Sequence, residues 1–258
     1  MSSHETSRAA DSLLARTVAT AAARRLLEVR EANANLDGRA LKDLGDTEAQ
    51  KLIAGMLAEH VPDDAVLSEE AADSEARLRS SRVWIIDPLD GTREFSEGRA
   101  DWAVHVALVI DGDLAVGAVA LGGPEVVLVS EDVTTHAPAH EGPIRIAVSR
   151  TRPPVLVEHV ADALDAELVP MGSAGVKISS VVSGASDAYI HGGGQYEWDS
   201  AAPIAVARAA GLHTSRLDGS TLVYNQPNPY LPDLVVCRPE LKDRVMAAVS
   251  AALADQPE

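Results

Sequence analysis

At 258 residues and 46% apolar composition, the chain can bury a sizeable core as one large domain or two smaller ones. Its net charge of −17 argues against nucleic-acid polymers and anionic membranes as partners. No apolar run approaches the roughly 20 residues that span a bilayer. The polar stretch Met1–Arg8 lacks the apolar core of a secretion signal, and the lone Cys237 rules out an internal disulfide framework, so a cytoplasmic protein is expected.

In chain order, Leu13, Leu14, Val18, Ala22, Leu26, Leu27 and Val29 recur at helical spacing and predict a long amphipathic helix from about Ser7 to Arg30. A second helix is predicted from about Asp46 to His60, with Leu52, Ile53, Met56 and Leu57 as its stripe. Ala65-Val66-Leu67 is a short apolar run, followed by a polar segment, Ala71 to Arg79, with helical character. Val83 to Asp87 is a buried strand, apolar on both faces, that stops at Asp87-Pro88. A meander follows over Trp102–Ile110, Leu114–Leu121 and Val126–Ser130, with Asp111-Gly112 and Gly122-Gly123-Pro124 at the turns.

The Pro-, Gly- and His-bearing stretch from Glu131 to Pro143 marks a boundary between a half spanning 1–140 and a half spanning 141–258. His136 and His140 are four apart there, but Pro138 lies between them and a loop is expected instead of a zinc site. Beyond it, strands (Ile144–Ser149, Glu167–Pro170, Ala188–His191) alternate with helices (Pro154–Leu164, Ala174–Ser183, Ser200–Ala210). Strands near Leu222–Tyr224 and at Leu234–Arg238 and a helix from Pro239 to Leu253 close the chain. The alternation predicts an α/β sheet covered by helices on its faces.

Acidic residues stand out at three places. Asp87 and Asp90 sit three apart at a strand end, followed by Gly91 and Thr92, a platform suited to hard metal ions and a phosphate. Ser68-Glu69-Glu70 follows a strand, and Glu197-Trp198-Asp199 precedes an alanine-rich helix. Each has a plainer reading: turn dipeptides at Asp87-Pro88 and Asp90-Gly91, a solvated pair at Glu69-Glu70, and helix caps at Asp199 and Asp46. Two unit charges about 4 Å apart repel by roughly 1 kcal/mol in water and roughly 4 kcal/mol at an effective dielectric near 20. If these carboxylates share a cleft, cations must sit among them. All-oxygen ligands suit Mg²⁺ or Mn²⁺ better than zinc.

The order Glu69-Glu70, then Asp87-Pro88-Leu89-Asp90-Gly91-Thr92, then Trp198-Asp199 before a small-residue helix resembles the lithium-sensitive, magnesium-dependent phosphomonoesterases. That superfamily includes inositol monophosphatase, fructose-1,6-bisphosphatase and the 3′-phosphoadenosine 5′-phosphate phosphatases. Arg93-Glu94-Phe95, Gly172-Ser173-Ala174-Gly175-Val176-Lys177 and Gly193-Gly194-Gln195-Tyr196 look most like the actinobacterial CysQ-type 3′(2′),5′-bisphosphate nucleotidases. The resemblance implies a layered α-β-α-β-α sandwich with its site between the two halves. It implies two or three Mg²⁺ ions, replaceable by Mn²⁺: one held by Glu69, Asp87 and the Leu89 carbonyl, a second by Asp87, Asp90 and Asp199. It gives Asp46 and Thr92 the attacking water, although Leu44-Gly45 stands where relatives carry Val-Thr.

Backbone N–H groups of Gly91 and Thr92 are expected to cradle the phosphoryl oxygens. Arg93 and Lys177 are candidates for a second phosphate, and Ser173 and Gly193 for further substrate contacts. Gly192 occupies the position, seven residues before Asp199, where inositol phosphatases carry a sugar-binding glutamate. The glycine-rich stretch at Gly192–Gly194, read as a turn from strand to helix, leaves room for a flat nucleotide. The expected reaction is therefore hydrolysis of 3′-phosphoadenosine 5′-phosphate to AMP and phosphate in sulfate assimilation. Inositol monophosphatase or fructose-1,6-bisphosphatase activity and a non-catalytic nucleotide or metal sensor are the alternatives, and a homodimer is an open expectation.

Overall fold

The computed structural model describes residues 3–151 and 153–254. Met1 and Ser2 of the polar N-terminal stretch lie outside the described residues. The chain builds two five-stranded sheets. The first contains β1 (Ala65–Ser68), β2 (Arg82–Asp90), β3 (Ala103–Ile110), β4 (Asp113–Leu121) and β5 (Val127–Val129) in sequence order; only β1 and β2 run parallel. The second has the order β7-β6-β8-β10-β9, built from β6 (Arg145–Ser149), β7 (Glu167–Met171), β8 (Ala188–Tyr196), β9 (His213–Ser215) and β10 (Tyr230–Cys237).

Alternation along the strands assigns each helix to a layer. On β2, Trp84 and Ile86 face outward into a core with α1 (Ser3–Ala32) and α2 (Gly38–His60), whose buried Ala15, Val18, Ala22, Leu26, Ile53 and Leu57 form the facing stripes. Val83 and Ile85, on the opposite face, join a central core with α5 (Ala174–Val182) and α6 (Ala201–Ala209). That core also takes Tyr189 of β8 and Leu234 and Val236 of β10. The outward residues Ile190 and Val235 pack instead against α4 (Val155–Leu164) and α7 (Lys242–Ala254). Three cores between five layers make the α-β-α-β-α sandwich. The middle layer is tight: a Cβ added at Gly117 of β4 would stand 2.3 Å from the Ala202 carbonyl oxygen, so α6 lies directly on this glycine.

Several boundaries differ from expectation. The second helix starts at Gly38, not Asp46, because Asp37 caps it: its carboxylate accepts from Arg39 N (3.0 Å) and Ala40 N (2.9 Å). Between Ala71 and Arg79 only Glu75–Arg79 is helical, as a 3₁₀ turn. Strand β2 continues past Asp87 to Asp90, with a bulge against β3 absorbing Pro88. Gly192–Gly194 is not a turn but part of β8. Leu222–Tyr224 forms no strand; β9 holds that edge, and Leu222 is held by its carbonyl, which accepts from Arg208 Nη2 at 2.9 Å. A short helix, α3 (Thr92–Ser96), went unforeseen. His136 and His140 do lie on a loop.

Candidate metal and substrate site

Alternation puts Asp87 on the same face of β2 as Val83 and Ile85, toward the other sheet, and the bulge that follows it brings Asp90 onto that face as well. Asp87 is buried; its Oδ1 accepts from Leu89 N at 3.0 Å, while Oδ2 is buried without a hydrogen-bond partner. Asp90 Oδ2 accepts from Ser173 Oγ (2.5 Å) and Gly175 N (2.7 Å), at the start of α5 in the other half of the chain. Asp199 closes a 3₁₀ turn, Glu197–Asp199, its Oδ2 accepting from Tyr196 N at 2.6 Å. One carboxylate oxygen from each of Asp87, Asp90 and Asp199 lies within 4.8 Å of the others. The cap reading of Asp199 does not hold, because the residue that caps α6 is Ser200.

Glu69 and Asp46 adjoin this cluster. Glu69 follows β1, its N–H donating to the Ile86 carbonyl of β2 at 3.3 Å. Asp46 projects from within α2, so it is no cap either. Desolvation, then the charges of Glu70 and Asp43, push the Asp46 carboxyl up to about 7. Glu69 is exposed on one side and faces the cluster on the other. Loss of water on the inner side and the charges of Asp46, Glu70 and Asp90 raise its pKa. Burial and the neighbouring carboxylates raise Asp87 well above the usual range, and burial with the charge of Asp90 raises Asp199. Each acid is poorly accommodated as an anion without added positive charge. That frustration, the unpartnered Asp87 oxygen and the all-oxygen donors fit a hard divalent cation.

Gly45, the departure from the relatives' pattern, has a packing reason. A Cβ built there would meet Phe95 Cε1 at 3.0 Å and Leu89 Cδ2 at 3.1 Å. The missing side chain seats α2 directly on the Asp87–Phe95 segment, which brings Asp46 to Glu69. Gly91 turns the chain at φ +87°, a left-handed conformation, and starts α3 at Thr92.

On the other side of Asp199 a cavity of about 370 Å³ opens, lined by Ser149, Lys177, Tyr189, His191, Gln195 and Asp199 among others. Lys177, in α5, is buried, with its ammonium 5.4 Å from the centre of the Tyr189 ring. Burial lowers its pKa, while Asp90, Glu94 and Asp199 act in the opposite sense. The other expected substrate contacts are placed differently. Arg93 is exposed and paired with Glu97 at 2.9 Å. The Ser173 hydroxyl is engaged in donating to Asp90 and accepting from Val176 N, so it orients Asp90 instead of facing the cavity. Gly194 lines the cavity wall; Gly193 does not.

Sequence reading missed His105. It is fully buried on β3, with Nε2 3.3 Å from Asp90 Oδ2. A lone ionisable residue within the apolar run Ala103–Ile110 was the available signal. Tyr189, His191 and Gln195 carried no comparable mark.

The layered fold and the carboxylate cluster at its centre define a metal-dependent phosphatase. The chain belongs to the inositol monophosphatase family, whose model matches residues 4–122 and 144–254. It is 50% identical to the 3′-phosphoadenosine 5′-phosphate phosphatase of Mycobacterium leprae over 254 residues, covering 93% of each chain. It is 33% identical to the 3′(2′),5′-bisphosphate nucleotidase CysQ of Escherichia coli K12 over 201 residues, 72% of this chain and 80% of that protein. Among solved structures, CysQ from Bacteroides thetaiotaomicron superposes with a TM-score of 0.76 at 24% identity, covering 89% of this chain and 97% of that one. The last similarity concerns the fold alone. Among the described residues no helix is long and apolar enough to cross a membrane.

Proposed function

We propose that the protein hydrolyses 3′-phosphoadenosine 5′-phosphate to AMP and phosphate, in the cytoplasm and as part of sulfate assimilation. The observation that carries this reading is the junction at Asp199: a carboxylate cluster on one side, a cavity with a buried lysine on the other. Such an arrangement suits a substrate with one phosphate at the acids and a second on Lys177. The identity to relatives named for this activity supports it.

Glu69, Asp87, the Leu89 carbonyl, Asp90 and Asp199 would hold two Mg²⁺ ions, with a third, weaker one near Asp46; Mn²⁺ would substitute. Bound there, the ions supply an acidified water and neutralise charge on the leaving oxygen. The chain's own residues do the rest. Asp46 and the Thr92 hydroxyl orient the attacking water, and the Asp46 carboxylate accepts its proton. Backbone N–H groups of Gly91 and Thr92 receive the phosphoryl oxygens. Residues 1–140 thus contribute most of the acids, and residues 141–258 contribute Asp199 and the second-phosphate wall.

Phosphate release from a panel of 3′-phosphoadenosine 5′-phosphate, inositol 1-phosphate and fructose 1,6-bisphosphate tests the proposal. The first ester is expected to be preferred, with activity abolished by excess chelator and inhibited by Li⁺. Preference for inositol 1-phosphate would overturn the substrate, and full activity in chelator would overturn the metal site. Metal binding without hydrolysis of any ester would favour a sensor.

A further inference from the structure

The imidazole of His105 joins three segments at the cluster. Its strand position is paired with Asp87 across the β2–β3 ladder. Nδ1 lies 3.0 Å from the carbonyl oxygen of Trp198. A carbonyl only accepts, so Nδ1 carries the proton and donates. Nε2 stands against the start of α5, where a Cβ on Gly175 would fall 2.0 Å from it. The ring therefore occupies space that only glycine at 175 leaves free, and the N–H of that same glycine donates to Asp90.

The Trp198 carbonyl belongs to the peptide unit that enters Asp199. We infer that His105 is a positioning residue: its Nδ1–H bond fixes that peptide plane and so holds the Asp199 carboxylate within reach of Asp87 and Asp90. The turn is otherwise tied to the chain through Glu197, whose N–H donates to the Pro229 carbonyl at 2.8 Å and whose carboxylate accepts from Asn225 N and Gln226 N. Among the described residues the Asp199 side chain itself accepts only from Tyr196 N, the residue before the turn. Among the described residues the His105 bond is the hydrogen bond that ties the Glu197–Asp199 turn to β3, so without it the carboxylate would be free to shift relative to acids anchored in the other half of the chain. Groups that orient metal ligands from behind typically change metal affinity by about 10–100-fold when removed. The inference rests on the proposed metal site and goes beyond it.

Two substitutions separate the hydrogen bond from bulk and polarity. In His105→Asn the amide nitrogen takes the place of Nδ1; in His105→Gln it takes the place of Nε2. Mn²⁺ binding to the full chain, followed by electron paramagnetic resonance at one pH, is the readout, with thermal melting and circular dichroism confirming the fold. We expect His105→Asn to stay within about threefold of the wild-type affinity, and His105→Gln and His105→Leu to bind about 10–100-fold more weakly. Gln binding as tightly as Asn, or Asn as weakly as Leu, would overturn the hydrogen-bonding role. Asp90→Asn serves as the control: wild-type Mn²⁺ binding that survives it would overturn the metal site itself, and with it this inference. Retained affinity in all three His105 variants, with binding lost in Asp90→Asn, would remove the inference alone.

Discussion

Two sets of partly or fully buried acids in this protein are treated in opposite ways. Asp11 and Asp64 share the Arg82 guanidinium, at 2.7 and 2.9 Å, and Asp64 also accepts from Trp84 Nε1. Asp233 is clamped by two Arg216 nitrogens and by Leu217 N; burial acts to raise its pKa, but these donors hold it below the usual carboxylate range. At Asp46, Glu69, Asp87 and Asp199 no arginine among the described residues intervenes and the pKa values rise. Arginine forks neutralise structural acids within the folded chain. The unmatched acids are a standing electrostatic cost that a bound cation would neutralise.

The largest expected effect of breaking this contrast comes from Asp87→Asn or Asp90→Asn. Either should remove nearly all turnover, and more than a few per cent of wild-type kcat would disprove the ligand assignment. Melting of the metal-free protein should show no loss of stability, because a repulsive charge has gone.

Arg82→Ala should do the reverse. It strands two acids and is expected to destabilise the fold by roughly 2–4 kcal/mol, discounted for partial exposure. Chemical denaturation measures this, and Mn²⁺ affinity of the folded protein should be unchanged. A loss of metal affinity would show that the two sets are coupled.

Lys177→Ala probes the one buried lysine facing the unmatched acids. Loss of a charge-assisted contact worth roughly 1.5–3 kcal/mol should raise KM for 3′-phosphoadenosine 5′-phosphate about ten- to a hundredfold. Inositol 1-phosphate, with a single phosphate, should be much less affected. Equal losses on both would assign Lys177 to the scissile phosphate or to the fold.

The smallest effect concerns pH. Asp46, raised to about 7, and Asp199 and Glu69, raised in the same direction, have folded-state pKa values above their unfolded ones. The stability they confer is complete below about pH 4 and is lost as pH rises through about 7. Burial lowers His105 and His191, which act in the opposite sense, so the useful quantity is the rise in Tm produced by Mg²⁺ at each pH. That rise should grow by a few degrees from pH 6 to pH 8, as protons cease to compete for the same carboxylates. A rise independent of pH would mean that the cation binds elsewhere.

Local pattern alone carried much of the architecture. The alternation in Val83–Ile86, the helical stripes of α1 and the βα succession after residue 143 are short-range periodicities, and the layers follow from them. Asp87-Pro88-Leu89-Asp90-Gly91-Thr92 marked the site because a proline and a left-handed glycine force a bulge and a turn within a few residues. Asp46 was assigned by resemblance, yet its helix was begun eight residues late, since the polar Asp37-Gly38 start hides a cap that only its two N–H bonds reveal. Tertiary structure alone decided the rest. Ser173 bonds Asp90 across 83 positions of chain, and His105 reaches Trp198 across 93. Such contacts leave no period in the sequence. Whether an acid meets an arginine or another acid depends on which strands and helices become neighbours, and that is settled by packing over the whole chain.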